Sequence, residues 1–351
     1  MFTYIRYALA WEIATLALIV GGIYLCFWGY KKRKMLFVAI GIVISITVLY
    51  GSFVEPRIIT ITEAEIDLPI EEELKIVVLS DFEIGLYKGK KFVERVVERV
   101  NKLEPDIVLI AGDFIFIKSE PGDSFLPLLD LSPKYGVYGV LGNHAYSCYD
   151  GNITRKKHVG FDLSLIVRRA VERAGVKILR NEWEAITLEG STGLSSTERQ
   201  GASGEVSGET EGLPLDIRDG RMLEESKKGN KKLYIAGVND ACTGRDDLEL
   251  ALPKPQQKSA IILMAHDPSV ILDDKIKYAH LIVSGHTHGG QIRLPFIGPL
   301  ISLPTQLGRK YDQGLFAIDK DTNLFISRGL GESGARARLF APPEIVLLNT
   351  K

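Results

Sequence analysis

Cysteine is scarce in this 351-residue chain: only Cys26, Cys148 and Cys242 are present. Three cysteines exclude a disulfide scaffold and a zinc site built from thiolates. Cys26 falls in an apolar run and reads as inert packing. The sequence leaves open whether Cys148 and Cys242 pair. An excess of one charge sign is also missing, with 43 basic side chains against 44 acidic ones. The balance is uneven, since residues 1–54 carry five basic groups and a single acid, Glu12. Residues 55–351 therefore hold 38 basic and 43 acidic groups, and such a domain grips nucleic acid poorly through its phosphates. The chain does not lack apolar residues: they make up 46%, which excludes a disordered or collagen-like protein.

Two long apolar runs are present. Tyr7 to Trp28 contains one charge, Glu12, and Met35 to Val54 contains none. Each is long enough to cross a hydrocarbon layer of ~30 Å as a helix. The first run is too long for a signal peptide and has no small-x-small cleavage site before the next basic cluster. Residues 1–54 thus read as a two-helix transmembrane hairpin, and residues 55–351 as the domain it carries. The link Lys31-Lys32-Arg33-Lys34 faces the cytoplasm under the positive-inside rule. A multi-pass protein of the cell membrane follows, with its large domain extracytoplasmic.

That domain alternates strands and helices. Leu74–Ser80, Ile107–Ala111 and Val137–Leu141 read as buried strands. Phe92, Val93, Val96, Val97, Val100 and Leu103 recur at helical spacing, which predicts a helix over 90–103 that Pro105 ends. A second helix spans 161–174 and stops at Gly175. Short strands follow at 176–179, 233–238, 261–265 and 281–284. A late run at 315–318, 324–327 and 344–348 suggests a second sheet. The alternation argues α/β layering. Between Gly190 and Gly212, 14 of 23 residues are Gly, Ser or Thr, so 190–230 reads as a flexible insertion, with a substrate lid as the alternative.

The polar residues cluster at the predicted strand ends. The strands run into Asp81-Phe82-Glu83, Gly112-Asp113, Gly142-Asn143-His144, His266-Asp267 and Gly285-His286-Thr287-His288. Carboxyl ends of strands converge on one crevice in layered α/β domains. Carboxylate, amide oxygen and imidazole together are ligands for Mn²⁺, Fe²⁺ and Zn²⁺. His158 and His280 read as structural. Each piece alone is weak, and the ordered set is what points to a metal site.

This order resembles the calcineurin-like metallophosphoesterase superfamily. The strings GHTHGGQIRLP (285–295), SRGLG (327–331) and RLFAPPEIVLL (338–348) resemble its membrane-associated bacterial-type phosphodiesterase branch, which includes enzymes similar to UDP-2,3-diacylglucosamine pyrophosphatases. The resemblance implies a four-layer αββα sandwich with two divalent metal ions. It places Asp81, Glu83, Asp113 and His288 on the first ion. It places Asp113, Asn143, His266 and His286 on the second. His144 becomes the catalytic residue beside the substrate oxygens. The family carries Asp-x-His at its first motif, whereas this chain has Glu83 at the third position. An added carboxylate favours a harder ion, so Mn²⁺ is expected ahead of Fe²⁺, Zn²⁺ or Mg²⁺.

The implied reaction is hydrolysis of a phosphoester by a hydroxide held between two ions ~4 Å apart. His144 stabilises the developing charge or protonates the leaving oxygen. Two apolar segments, Leu294–Pro304 and Phe114–Ile117, either pack on the core or dip into the bilayer surface to admit a lipid-tailed substrate. Arg293, Arg309, Arg336 and Arg338 are candidate phosphate partners. The expected partners are a phosphoester substrate, lipid-linked on the second of these readings, and the membrane. Two other readings stay open: a non-catalytic binding or scaffold protein whose metal site has degenerated at Glu83, and a phosphomonoesterase or nuclease of the same superfamily.

Overall fold

A computed structural model describes residues 2–116, 119, 121–148, 162–188, 198–200, 232–254, 259–300 and 302–351. Most of the 190–230 insertion, His158, Ile117 and Ile301 lie outside these residues.

The chain begins with two antiparallel helices, α1 (Phe2–Lys31) and α2 (Met35–Leu49). A single π-type turn, Tyr50–Val54, prolongs α2. Both helices are long and apolar enough to cross a membrane, over Leu9–Lys31 and Met35–Arg57. Glycines bring them together: a Cβ on Gly41 would stand 2.5 Å from the carbonyl oxygen of Gly22. Small residues permit this close approach between apolar helices. The hairpin is fastened to the domain at its open end. Arg336 pairs with Glu12 at 2.7 Å, Arg338 donates to the Gly51 carbonyl at 2.8 Å, and the Ala341 amide donates to Glu55 at 2.7 Å. Glu12 is therefore an ion-paired residue at the domain, which explains a charge inside an otherwise apolar run.

The domain is built on two sheets. The first has the order β1-β15-β2-β3-β4-β5. Its strands are β1 (Thr60–Ile66), β2 (Lys75–Leu79), β3 (Ile107–Ala111), β4 (Val137–Val140), β5 (Lys177–Ile178) and β15 (Glu344–Thr350). The strands β2, β3, β4 and β5 run parallel. The second sheet has the order β13-β14-β10-β9-β8-β6-β7. It comprises β6 (Glu182–Thr187), β7 (Glu198–Gln200), β8 (Lys232–Gly237), β9 (Ala260–Met264), β10 (Leu281–Ser284), β13 (Gly314–Ala317) and β14 (Asn323–Ile326). A small antiparallel hairpin joins β11 (Arg293–Leu294) to β12 (Gly298–Pro299).

The sheets face each other across a core that includes Val78 and Leu109 of one sheet and Ile235, Ile262 and Val283 of the other. Helices α3 (Lys90–Asn101) and α4 (Ser164–Arg173) cover the far face of the first sheet. The apolar stripe of α3, Phe92, Val93, Val96, Val97 and Val100, is wholly buried, and each such side chain stabilises the fold by about 1.5–3 kcal/mol. The far face of the second sheet is covered more thinly, by α5 (Leu248–Ala251) and short 3₁₀ turns. These layers make an αββα sandwich, as expected.

Three differences from the sequence reading have physical causes. β1 offers no apolar run to read, because Ile61, Ala64 and Ile66 stand singly among Thr and Glu and only Ile66 is buried. β6, with the sequence Glu-Trp-Glu-Ala-Ile-Thr, likewise has no apolar run longer than two residues. The late strands do not all form the second sheet: β13 and β14 do, but β15 returns to the first and lies between β1 and β2.

Candidate metal centre

Each candidate side chain stands at the end of a strand. β2 leads to Asp81 and Glu83, β3 to Asp113, β4 to Asn143 and His144, β9 to His266, and β10 to His286 and His288. Because β2, β3 and β4 are parallel, and β9 and β10 are parallel, these ends fall at one edge of the sandwich. All but Asn143 and His286 are buried, and those two are half-buried.

Two groups of donor atoms form. Around Nε2 of His266 stand Asp113 Oδ2 at 3.0 Å, Asn143 Oδ1 at 3.2 Å and His286 Nδ1 at 3.2 Å. Around Nε2 of His288 stand Asp81 Oδ1 and Glu83 Oε1, each at 3.5 Å. Ligands ~2.1 Å from one ion are themselves ~3.0–3.4 Å apart, so these spacings are close to the edges of coordination shells. Asp113 also stands with Glu83 and His144 in a third donor group. The far ring nitrogens are anchored: His266 Nδ1 donates to the Ala111 carbonyl at 2.7 Å, and His288 Nδ1 to that of Gly331 at 3.3 Å. This is the outer-sphere pattern that aims an imidazole at a metal.

The fit to divalent ions rests on one orphan atom and on the backbone. Glu83 Oε1 is buried and makes no hydrogen bond. A buried carboxylate oxygen without a partner is costly unless a cation completes it. Asp81, Glu83, Asp113, His286 and His288 all have φ between 44° and 70°, a region that L residues rarely adopt. Strain of this kind persists where the surroundings over-determine it, and it gathers at functional sites. Room is kept for the ligands as well: a Cβ on Gly142 would lie 2.2 Å from Asp113 Oδ1.

The charges interlock. Burial holds the Asp81 carboxyl above its usual range, with His266 opposing. Burial also acts on Asp113, but His144 and His266 override it and hold that carboxyl low. Burial opposes charge on His144, yet Asp113 and Glu83 raise it to about 9. Burial lowers both His286 and His288.

Sequence reasoning missed Asp240, left the Cys148–Cys242 pairing open and took Arg338 for a candidate phosphate partner. Asp240, past the end of β8, is buried and its carboxyl is raised to about 7 by burial, with His266 opposing. An Asn-Asp pair after a strand reads only as a turn, so no signal marked it. Cys148 and Cys242 are joined, tying the loop of Asn143 and His144 to the loop of Asp240. Arg338 is fully buried and donates to four backbone carbonyls, so it braces the floor under His288 and is not placed to meet a phosphate. Of the other candidate arginines, Arg293 pairs with Asp312, Arg309 bonds the Pro299 carbonyl and Arg336 pairs with Glu12. The segment after Asp113 is also core: Phe114, Ile115 and Phe116 are buried, and Phe114 stacks on Phe82 at 6.3 Å. His280 is structural, accepting from the Ile261 amide at 3.1 Å.

The family model for the calcineurin-like phosphoesterase matches residues 74–290, which run from β2 to the last histidine corner. The chain belongs to that family. It is a metal-dependent phosphoester hydrolase, and the donor groups described above are candidates for its divalent ions. The chain is similar to the uncharacterized metallophosphoesterase YkuE of Bacillus subtilis, at 26% identity over 86% of this chain and 89% of that one. It is similar to an uncharacterized metallophosphoesterase of Helicobacter pylori strain 26695, at 30% identity over 80% of this chain and 60% of that one. It is also similar to the UDP-2,3-diacylglucosamine pyrophosphatase LpxG of Chlamydia trachomatis, at 24% identity over 89% of this chain and 98% of that one.

Proposed function

We propose that this metallophosphoesterase is a membrane-anchored phosphodiesterase or pyrophosphatase acting on a lipid or cell-envelope amphiphile, with its catalytic domain outside the cytoplasm. One observation carries the lipid reading. The exposed apolar side chains of the β11–β12 hairpin, Phe296 and Ile297 at its tip and Leu300 after it, lie on the segment that follows the paired histidines. That hairpin is tied to Leu339 through the Arg293 amide, at 2.9 Å, and Arg338 is tied to Gly51 of the second apolar helix. Phe340, next to Leu339, is exposed as well. Contiguous apolar surface beside an anchor suits contact with a bilayer. The near-complete coverage of a pyrophosphatase named for a diacylated substrate supports an amphiphile.

The basic link at 31–34 supports the outward placement, and so does the Cys148–Cys242 bond, since disulfides persist mainly in oxidising compartments. An outward domain favours a phospholipid or an envelope-polymer precursor over a nucleotide-linked lipid of the cytoplasm.

In this reading Asp81, Glu83, Asp113 and His288 would hold one divalent ion, and Asp113, Asn143, His266 and His286 a second. When bound, such ions supply charge against the phosphoryl oxygens and a nucleophile at neutral pH. Mn²⁺ is the ion we favour, because Glu83 adds an oxygen donor. His144 gives its Nδ1 proton to Glu83 at 2.9 Å, and its Nε2 stands 3.9 Å from Asp113, beyond hydrogen-bond reach. In this reading His144, held by Glu83, would be the general acid that protonates the leaving oxygen.

The test assays the full chain in mixed micelles, with Mn²⁺, Mg²⁺ or Zn²⁺, against a soluble diester, a soluble monoester and a diacyl pyrophosphate. Preference for the diacyl substrate, lost in Asp113→Asn, supports the reading. Faster turnover of the soluble diester removes the lipid part, and preference for the monoester removes the diesterase part.

A further inference from the structure

A cavity of about 380 Å³ opens at the foot of the second apolar helix, where Ser52 and Pro56 line it. Its wall carries five basic side chains, Arg57, Lys88, Lys91, Arg95 and Arg336, against one acid, Glu332. Two of the five are neutralised: Lys88 pairs with Glu332 at 3.0 Å, and Arg336 with Glu12 at 2.7 Å. The other three are not. Arg57 donates to the Phe53 carbonyl, and Arg95 to the Arg57 carbonyl at 2.9 Å. Neither carbonyl carries a charge. Lys91 has no hydrogen bond or ion pair among the described residues. Gly89 also lines the cavity and is the N-cap of the twelve-residue α3, with no side-chain cap. The first amides of that helix add partial positive charge at the same place.

The cavity is separate from the metal centre but close to it. Glu332 in its wall follows Gly331, where a Cβ would stand 2.3 Å from that of Glu83. Its height along the hairpin is informative too, because the apolar span ends at Arg57, one of its lining residues. Headgroup phosphates sit at that boundary, and juxtamembrane cations attract them. Three exposed cations without an acidic partner line one open, half-sheltered cleft, which suits an oxyanion with charge-assisted hydrogen bonds. They do not suit a cation or an apolar ligand.

We propose that this cavity is a second anion site, which takes a phosphate group at the membrane surface independently of the hydrolytic centre. Its occupant would latch the anchor's foot to α3. The site stands whether or not the hydrolytic reading is right, because its test reads binding.

The full chain in neutral detergent, with its metals, is titrated with phosphatidylglycerol, phosphatidylcholine or inorganic phosphate, and the thermal unfolding midpoint is followed. The same titrations are run on Lys91→Glu/Arg95→Glu and on the milder Lys91→Gln/Arg95→Gln. Both positions are exposed, so the helix tolerates either change. Phosphatidylglycerol should raise the midpoint of the unaltered chain, with apparent affinity about tenfold weaker in the charge-reversed variant. A response to inorganic phosphate that the variants also weaken supports the site and shows that free phosphate occupies it as well. The proposal is overturned by equal affinity in the unaltered chain and both variants, since the anion then sits at the metal centre. An equal response to phosphatidylcholine, or no response to either anion, overturns it too.

Discussion

Glu83 accepts the Nδ1 proton of His144 at 2.9 Å with one carboxylate oxygen and turns the other, unbonded, toward His288. One residue thus touches both the proposed proton donor and the first donor group. In the proposed centre the carboxylate at this position would do two jobs that a neutral imidazole does not combine: it would add an anionic donor, and it orients His144.

Replacing Glu83 therefore has two separable effects. Glu83→Gln should lower bound metal and cut turnover by about 10–100-fold, the scale of losses at metal-supporting residues. Glu83→His should recover metal but shift preference toward Zn²⁺. Elemental analysis of the purified variants checks this. Unchanged metal content and preference in both would show that Glu83 is no ligand.

His144→Ala should spare metal binding, because that side chain is not needed for either coordination shell. It should slow hydrolysis of a diester with a poor leaving group by about 10²–10⁴-fold. A nitrophenyl ester, whose leaving group needs no proton, should lose much less. Equal losses on both substrates would leave His144 as a positioning residue for Glu83 and Asp113.

Lys88 makes folding depend on pH. Burial lowers its ammonium from 10.5 to about 8, although Glu332 pulls it back up. Between pH 8 and 10.5 the unfolded chain holds a proton that the folded chain has released, so stability rises with pH across this window. The penalty below pH 8 is about 3 kcal/mol. Denaturation at pH 7.5 and 10 should show the rise in the unaltered chain, and Lys88→Met/Glu332→Gln should flatten it. A rise of the same size in that variant would assign the effect elsewhere.

The Cys148–Cys242 bond closes a long loop and holds the turn that positions Asn143, whose side chain donates to the Cys148 carbonyl at 2.7 Å. Cys148→Ser/Cys242→Ser should cost about 2–4 kcal/mol in chemical denaturation. It should also lower occupancy of the ion that Asn143 would hold. An unaffected midpoint with the bond shown intact by mass spectrometry would remove its structural role.

Phe296→Ser/Ile297→Ser should slow a lipid substrate in vesicles by about tenfold or more, since each side chain gives up roughly 1.5–3 kcal/mol of apolar burial. A soluble diester should be hydrolysed as before. Equal slowing of both would mean that the tip shapes the catalytic centre and does not touch the membrane.

The parts legible from sequence are those whose signal is local. β3 is an unbroken β-branched and aliphatic run, and α3 repeats valine at helical spacing, so both were read almost to the residue. The donor corners were legible because each pairs a short motif with a strand end. What escaped is set by tertiary partners. β1 is half polar along its length and is recognisable only through its pairing with β15. Sequence leaves Phe114, Ile115 and Phe116 between core packing and bilayer contact, and it is Phe82 and Phe125 that bury Phe114 in the core. Phe296 has much the same local composition and is left in the open. The difference lies in what the rest of the fold brings to each, and residue type does not carry it.

The ion pair between Glu12 and Arg336 ties the first helix to the 328–341 segment, whose Gly331 carbonyl accepts from His288. A catalytic head clamped in this way does not swing on a tether. In a bilayer it would patrol a thin slab just above one leaflet and meet its substrates by lateral diffusion. Encounter rates would then follow the surface density of substrate in that leaflet more closely than its bulk concentration.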